Sequence, residues 1–165
     1  IRLLRQDSWE CLISFIISQN NNIPRIKGII DRLCEHYNGD FPSVQQLASE
    51  TPDSLAYLRS GFRAKYIADA AHRVSDGRTD LASVSKMPID EARISLKEIL
   101  GVGSKVAECV LLFGMHRTEA FPMDVWIKRV LATYYPNGFP EFAAANAGIA
   151  QQYLFHYMRN LPENE

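Results

Sequence analysis

Two glycines one residue apart, Gly101 and Gly103, stand between two helix-forming stretches, and this joint constrains the fold more than any other feature of the chain. Upstream, Pro88 opens a helix with Asp90 and Glu91 in its first turn, where the macrodipole favours acid. That helix is expected to end at Leu100, and a second to run from Ser104 to Met115. Gly101-Val102-Gly103 is too short for anything but a tight corner, so residues 89–115 are expected to fold back as a helical hairpin. The amides that open the second helix have no partner inside it. Such donors, at the positive end of a helix, bind phosphate. Taken alone, the same joint is equally a corner with no ligand.

The rest of the chain repeats this punctuation. Asp7 or Ser8 caps a helix whose apolar face is Leu12, Phe15 and Ile16. Asn20, Asn21 and Asn22 break the pattern, and Pro24 suits the first turn of a helix running to about Tyr37, ended by Asn38-Gly39-Asp40. Ser43 caps a short helix ending near Ser49, and Thr51-Pro52 opens another. Gly61 breaks the chain before a helix from Phe62 to Val74, stopped near Gly77. Pro122 halts the chain, Asp124 caps a helix to Tyr135, Pro136 and Pro140 bracket a loop, and residues 141–160 form the last helix. No convincing period-two run occurs, so the expected fold is all-α, a helix bundle in two small lobes within one domain over residues 1–165. With 47% apolar and 22% charged residues, the chain has enough apolar surface for a packed core.

Composition also excludes some functions. Cys11, Cys34 and Cys109 stand far apart with no C-x-x-C, which argues against a zinc ribbon or an iron–sulfur cluster. No cofactor is expected, no apolar span is long enough for a membrane, and a monomer is expected. The net charge of −1 gives no general attraction to a polyanion. The cations nevertheless come in groups: Arg2 and Arg5, Arg25 and Lys27, Arg59, Arg63 and Lys65, Lys128 and Arg129. Such groups read either as solvated helix faces or as local patches that steer phosphate. The chain opens on Ile1 rather than Met and reads as a fragment.

Lys105 falls in the first turn of the second hairpin helix, where the dipole disfavours a cation and so favours the neutral, nucleophilic amine. A solvated surface lysine is the plainer alternative. Asp124 lies 19 residues further on, behind Pro122, in an expected loop over 120–125. Its plain role is a helix cap. A carboxylate held by helix amides stays ionised, so the same residue can also stabilise a cationic, oxocarbenium-like sugar. One helix and a return loop between them are expected to bring both groups to one cleft.

Gly101-Val102-Gly103, Lys105, Pro122 and Asp124 together resemble the helix–hairpin–helix and Gly/Pro-Asp signature of the HhH-GPD DNA glycosylases. Arg2 to Asp7, Ser18 to Ile23 and Gly61 to Tyr66 are similar to blocks of the 8-oxoguanine glycosylase/lyase branch, and the match covers roughly the whole chain. The resemblance implies removal of 8-oxoguanine from double-stranded DNA through a lysine Schiff base and β-elimination, in a bacterial nucleoid or cytoplasm or in a eukaryotic nucleus. It implies that Lys105 attacks C1′ and that Asp124 is the essential carboxylate. Cys109, Gln151 and Phe155 correspond to residues around the flipped base. By residue type alone Cys109 belongs to an apolar stripe with Val106, Val110 and Phe113, Phe155 to a core, and Gln151 to a surface. Asn20, Arg25 and Arg63 correspond to residues that engage the orphaned partner base, and Phe62 to an aromatic wedge in the stack. The hairpin residues Gly101, Val102 and Gly103 correspond to a grip on the DNA backbone, with a possible alkali or alkaline-earth ion at Leu100 and Val102.

Two departures stand out. Trp126 and Met158 occupy positions where the family carries a histidine that contacts phosphate and its acidic partner. The family's N-terminal sheet domain is absent from this chain, and with it the carbonyl that tells 8-oxoguanine from guanine. Two other readings remain: a related glycosylase for oxidised pyrimidines or alkylated purines, and a hairpin module that grips DNA without catalysis.

Overall fold

The first helix is apolar almost all round, and such a helix has to run through the middle of a protein. In the computed structural model, which describes residues 1–160, α1 (Ser8–Ser18) buries Trp9, Cys11, Leu12, Ile13, Ile16 and Ile17. Fully burying each aliphatic side chain of this kind contributes about 1.5–3 kcal/mol. The Asp7 carboxylate accepts from the Trp9 and Glu10 amides and fixes where the helix starts.

Helices then wrap around α1. α2 (Ile23–His36) is capped by Asn22, whose side chain accepts from Arg25 N, with Pro24 in its first turn. α3 (Val44–Ala48) opens on a reciprocal cap between Ser43 and Gln46. α4 (Arg63–Ser75), α5 (Leu81–Val84) and α6 (Ile89–Lys97) come next in the chain. The hairpin turn leads into α7 (Ser104–Cys109), and α8 (Val125–Tyr134) and α9 (Ala147–Asn160) complete the fold. Side chains of α1 to α7 and Ala120 form one core cluster. Ile127, Val130 and Ala147 are buried outside it, in a smaller lobe where α8 packs against α9.

The differences from the expected elements have physical causes. Helix α5 is a single turn, too short for periodicity to reveal, although its cap Asp80 accepts from Ala82 N. The segment after Thr51-Pro52 is a 3₁₀ turn, Ser54–Leu58, held by paired side-chain and backbone bonds between Thr51 and Ser54. The stretch 104–115 is not one regular helix: after Cys109 it widens into a π turn, Val110–Gly114, closed by Met115 N donating to Val110 O at 3.0 Å. Gly114 lies tight against Cys11 and Ser8, and Ser8 Oγ donates to Gly114 O at 2.9 Å, so contact with α1 fixes this turn. The stretch 141–160 likewise begins as a 3₁₀ turn, Glu141–Asn146, before α9.

The hairpin is seated on α4. Gly101 has φ of +81°, and a Cβ there would overlap the Tyr66 ring. Leu100 N donates to the Asp69 carboxylate at 2.7 Å. Gly77 has nearly the same φ, +80°, with nothing near its Cβ position. Gly77→Ala should therefore cost about 1–2 kcal/mol, from the left-handed backbone alone. Gly101→Ala should cost about 1–3 kcal/mol more, because overpacking is added. Urea unfolding of both variants checks this. Equal costs would mean that the ring contact contributes nothing.

Candidate active site

Lys105 lies in the first turn of α7 and is exposed. Asp124 is the cap of α8, half-buried, with Oδ1 accepting from Ile127 N at 2.8 Å. The two groups line one cavity of about 360 Å³. Cys109, Gln151 and Phe155 line it too, so five of the residues expected at the site meet there. Phe15, Ile23, Phe113, Pro122 and Gln152 complete the wall. A second cavity of about 310 Å³ adjoins it and shares Phe15, Lys105 and Cys109. Its other lining residues include Asn20, Phe62 and Gly103. Lys105 thus stands where a chamber bearing a carboxylate meets one bearing the asparagine turn and an aromatic ring.

The first chamber is mostly apolar. Phe15 and Phe113 stack at 5.7 Å. Cys109 is 4% exposed, and its thiol is pushed up to about 12, chiefly by burial. Lys105 opposes that rise, while Asp124 and Glu108 add to it. The thiol is therefore a neutral, polarisable surface rather than a nucleophile. Phe155 is half-buried, with the Arg159 guanidinium 5.6 Å from its ring centre. Gln151 is 3% exposed; its Nε2 donates to Pro122 O at 3.1 Å, and its Oε1 accepts from Gln152 Nε2 at 2.6 Å. Both polar atoms of Gln151 are thus engaged with protein, and Gln152 stands beside it in the same cavity.

On the second side, Asn20 is exposed at the turn after α1, with φ of +45°. Arg63 is 2% exposed, so it is not a free cation. Its Nε donates to Gln19 O at 3.0 Å, its Nη1 to Ser60 O at 3.0 Å, and its Nη2 to Gln19 O and to Asn20 O, the latter at 2.9 Å. Three of these bonds brace the asparagine turn, and the fourth ties the guanidinium to Ser60 ahead of α4. Arg25 is exposed, and the one described hydrogen bond of its side chain is Nη2 to Arg59 O at 3.3 Å. Phe62 is 47% exposed, held edge-on by Tyr66 at 5.6 Å and by the Arg63 guanidinium at 4.4 Å. At the hairpin, Val102 is buried while Gly103 and Ser104 are exposed, and no side chain caps α7. The Leu100 and Val102 amides are taken by Asp69 and by Ile99 O. Carbonyl oxygens at those two residues are the ligand type that alkali and alkaline-earth ions accept.

Two lining residues escaped the sequence reading of the site. Phe15 was expected on a core face, yet it borders both cavities. Ile23 is 65% exposed at the cavity wall, and its signal was an apolar residue placed directly after three asparagines. Trp126 is 38% exposed under the Arg129 guanidinium, 5.2 Å from the ring, and Met158 is half-buried. Among the described residues no group of three or more His, Cys, Asp or Glu is placed to hold a metal ion, and no helix is long and apolar enough to cross a membrane.

Residues 13–138 match the model of the HhH-GPD superfamily base excision DNA repair proteins. An N-glycosylase/DNA lyase of Saccharomyces cerevisiae is 35% identical, over 82% of this chain and 42% of its own length. A probable N-glycosylase/DNA lyase of Methanothermobacter thermautotrophicus is 33% identical, over 94% of this chain and 62% of its own. The 8-oxoguanine glycosylase/lyase of Clostridium acetobutylicum, solved with double-stranded DNA containing cytosine opposite 8-oxoguanine, superposes with a TM-score of 0.83 at 37% identity. That superposition covers 96% of this chain and 62% of the Clostridium chain. This chain therefore spans about two fifths to three fifths of the length of these relatives.

Burial raises the Cys11 and Cys109 thiols from 9.0 to about 12. In the unfolded chain each thiol ionises near 9, and in the fold it stays protonated to about 12. Their contribution to stability is thus complete below pH 9 and lost between about 9 and about 12. The urea midpoint should fall across that window, and less steeply in a Cys11→Ala, Cys109→Ala variant. An unchanged slope in the variant would refute the assignment.

Proposed function

The chain belongs to the HhH-GPD superfamily of base excision DNA repair proteins, and from that premise we propose that it is a bifunctional DNA glycosylase and abasic-site lyase acting on 8-oxoguanine in duplex DNA. The observation that carries the reading is the shared cavity of Lys105 and Asp124. The names of the relatives, N-glycosylase/DNA lyase and 8-oxoguanine glycosylase/lyase, support the substrate.

An enzyme that acts on a base must extrude it from the stack. The flipped nucleotide enters the chamber with its base between Phe155 and the Cys109 thiol, and its sugar reaches Lys105 and Asp124. The Asp124 carboxylate, held by Ile127 N, stabilises positive charge at C1′ as the N9–C1′ bond breaks. The Lys105 amine, on giving up its proton, adds to C1′, the sugar ring opens, and a Schiff base forms with the base released. Loss of a C2′ proton then expels the 3′ phosphate and leaves a strand break. Phe62 occupies the gap in the stack, and Asn20 with Arg25 faces the partner base, on a turn that Arg63 holds in shape.

Borohydride reduction during the reaction should couple the protein covalently to an 8-oxoguanine duplex. Lys105→Gln should abolish the adduct. Asp124→Asn should slow base release by about 10²–10³-fold, the typical effect of removing one preorganised electrostatic group. An adduct that persists in Lys105→Gln would refute this chemistry, and an adduct confined to pyrimidine lesions would refute the substrate.

A further inference from the structure

Lys105 and Asp124 belong to different segments, so something has to hold the one against the other. The structure assigns this task to Glu108, one helical turn after Lys105 on α7. Its side chain is 12% exposed. One carboxylate oxygen accepts from Arg93 Nε at 2.5 Å; the other accepts from Phe121 N at 2.7 Å. Arg93, on α6, also donates to Asp90 at 2.7 Å, which fixes the guanidinium from its other side. Glu108 therefore ties three parts together: the first hairpin helix, the helix carrying Lys105, and the loop carrying Asp124.

The bond to Phe121 matters because the residues just beyond it are stiff. Pro122 has a fixed φ and is buried, and its carbonyl is held by Gln151. Asp124 is then locked by its own cap bond to Ile127. Phe121 is thus the point at which this stiff segment is pinned to α7. Without Glu108 the Phe121 amide has no described partner, and no other described hydrogen bond joins this segment to α7, although the Phe121 ring still meets Phe139 and Ala120 stays in the core. Glu108 acts through Asp124 and is a positioning residue, not a catalytic one. No residue at this site was marked for such a role by the sequence, because its partners are 15 and 13 residues away.

The inference rests on Lys105 and Asp124 being the reacting pair, and its test separates the two ideas. Single-turnover excision of 8-oxoguanine is measured with the wild type, Glu108→Ala and Glu108→Gln, together with the affinity for the lesion duplex. Glu108→Ala should lower the rate constant about tenfold to a hundredfold, as misplacement of a reacting group does, with amplitude and affinity unchanged. Glu108→Gln keeps an oxygen for the Phe121 amide and should recover most of the rate. Borohydride trapping on a preformed abasic duplex, which has no base left to expel, should be much less affected by Glu108→Ala. A wild-type rate constant in Glu108→Ala overturns the inference. So does a loss of amplitude at an unchanged rate constant, which marks a purely structural residue, and so does equal damage by Ala and Gln. A wild type that neither excises nor traps refutes instead the reading of the reacting pair.

Discussion

An α-helix begins with amides that no turn of its own can satisfy, and it carries positive potential there. In this structure several of the residues that line the two adjoining cavities come from such beginnings. Asn20 lies just ahead of α2, Phe62 is the residue before α4, Gly103 precedes α7, and Asp124 caps α8. Four helix starts thus face one region that Lys105 shares. This resolves the difficulty posed by a net charge of −1. A polyanion does not need an excess of lysine over the whole surface if dipole ends and a few cations are gathered at one place. It also explains why one of those starts has an acidic cap and another has none. The Asp124 carboxylate is held by Ile127 N while it lines the cavity, whereas the amides after Gly103 are left for an outside partner.

The packing beneath this region serves the same geometry. Helix α1 is apolar almost all round, so it forms a fixed centre against which the others are registered. The hairpin is set on α4 by contact of Gly101 with Tyr66 and by the Asp69 bond to Leu100. Helix α9 is set on the loop before Asp124 by Gly148, whose Cβ position is filled by Ala120 O and Leu112, and by Gln151 on Pro122 O. Lys105 and Asp124 are therefore carried by segments set in place by close glycine contacts and by side chains bonded to backbone, within a closely packed interior.

Much of this was legible in the sequence, and the reason is local. Caps at Asp7, Ser43 and Asp124, prolines at 24 and 88, and the Gly101-Val102-Gly103 corner are short-range signals whose physics needs no distant partner. The joining of Lys105 to Asp124 was readable because one hairpin helix and one loop separate them. What was not readable depends on distant contact. The π turn at Val110–Gly114 arises from contact of Gly114 with α1, about a hundred residues earlier in the chain. The link from Glu108 to Phe121 and Arg93 has no sequence signature, and neither has the position of Phe15 at the border of both cavities.

Arg63 shows how a residue's type can mislead about its task. An arginine beside an exposed phenylalanine, in a stretch like Gly61 to Tyr66, invites the idea of a free fork that reaches a base edge. Here burial would be costly for a charged group without partners, and the chain supplies the carbonyls of Gln19, Asn20 and Ser60. The guanidinium also lies 4.4 Å from the centre of the Phe62 ring. One cation therefore rigidifies both the asparagine turn and the exposed ring, the two features that line the second cavity opposite Lys105. A side chain fixed in this way presents Asn20 and Phe62 already ordered, so less conformational entropy is lost when a ligand meets them. The exposed Arg25, by contrast, is bonded through its side chain only to Arg59 O, at 3.3 Å, and is far less constrained than Arg63.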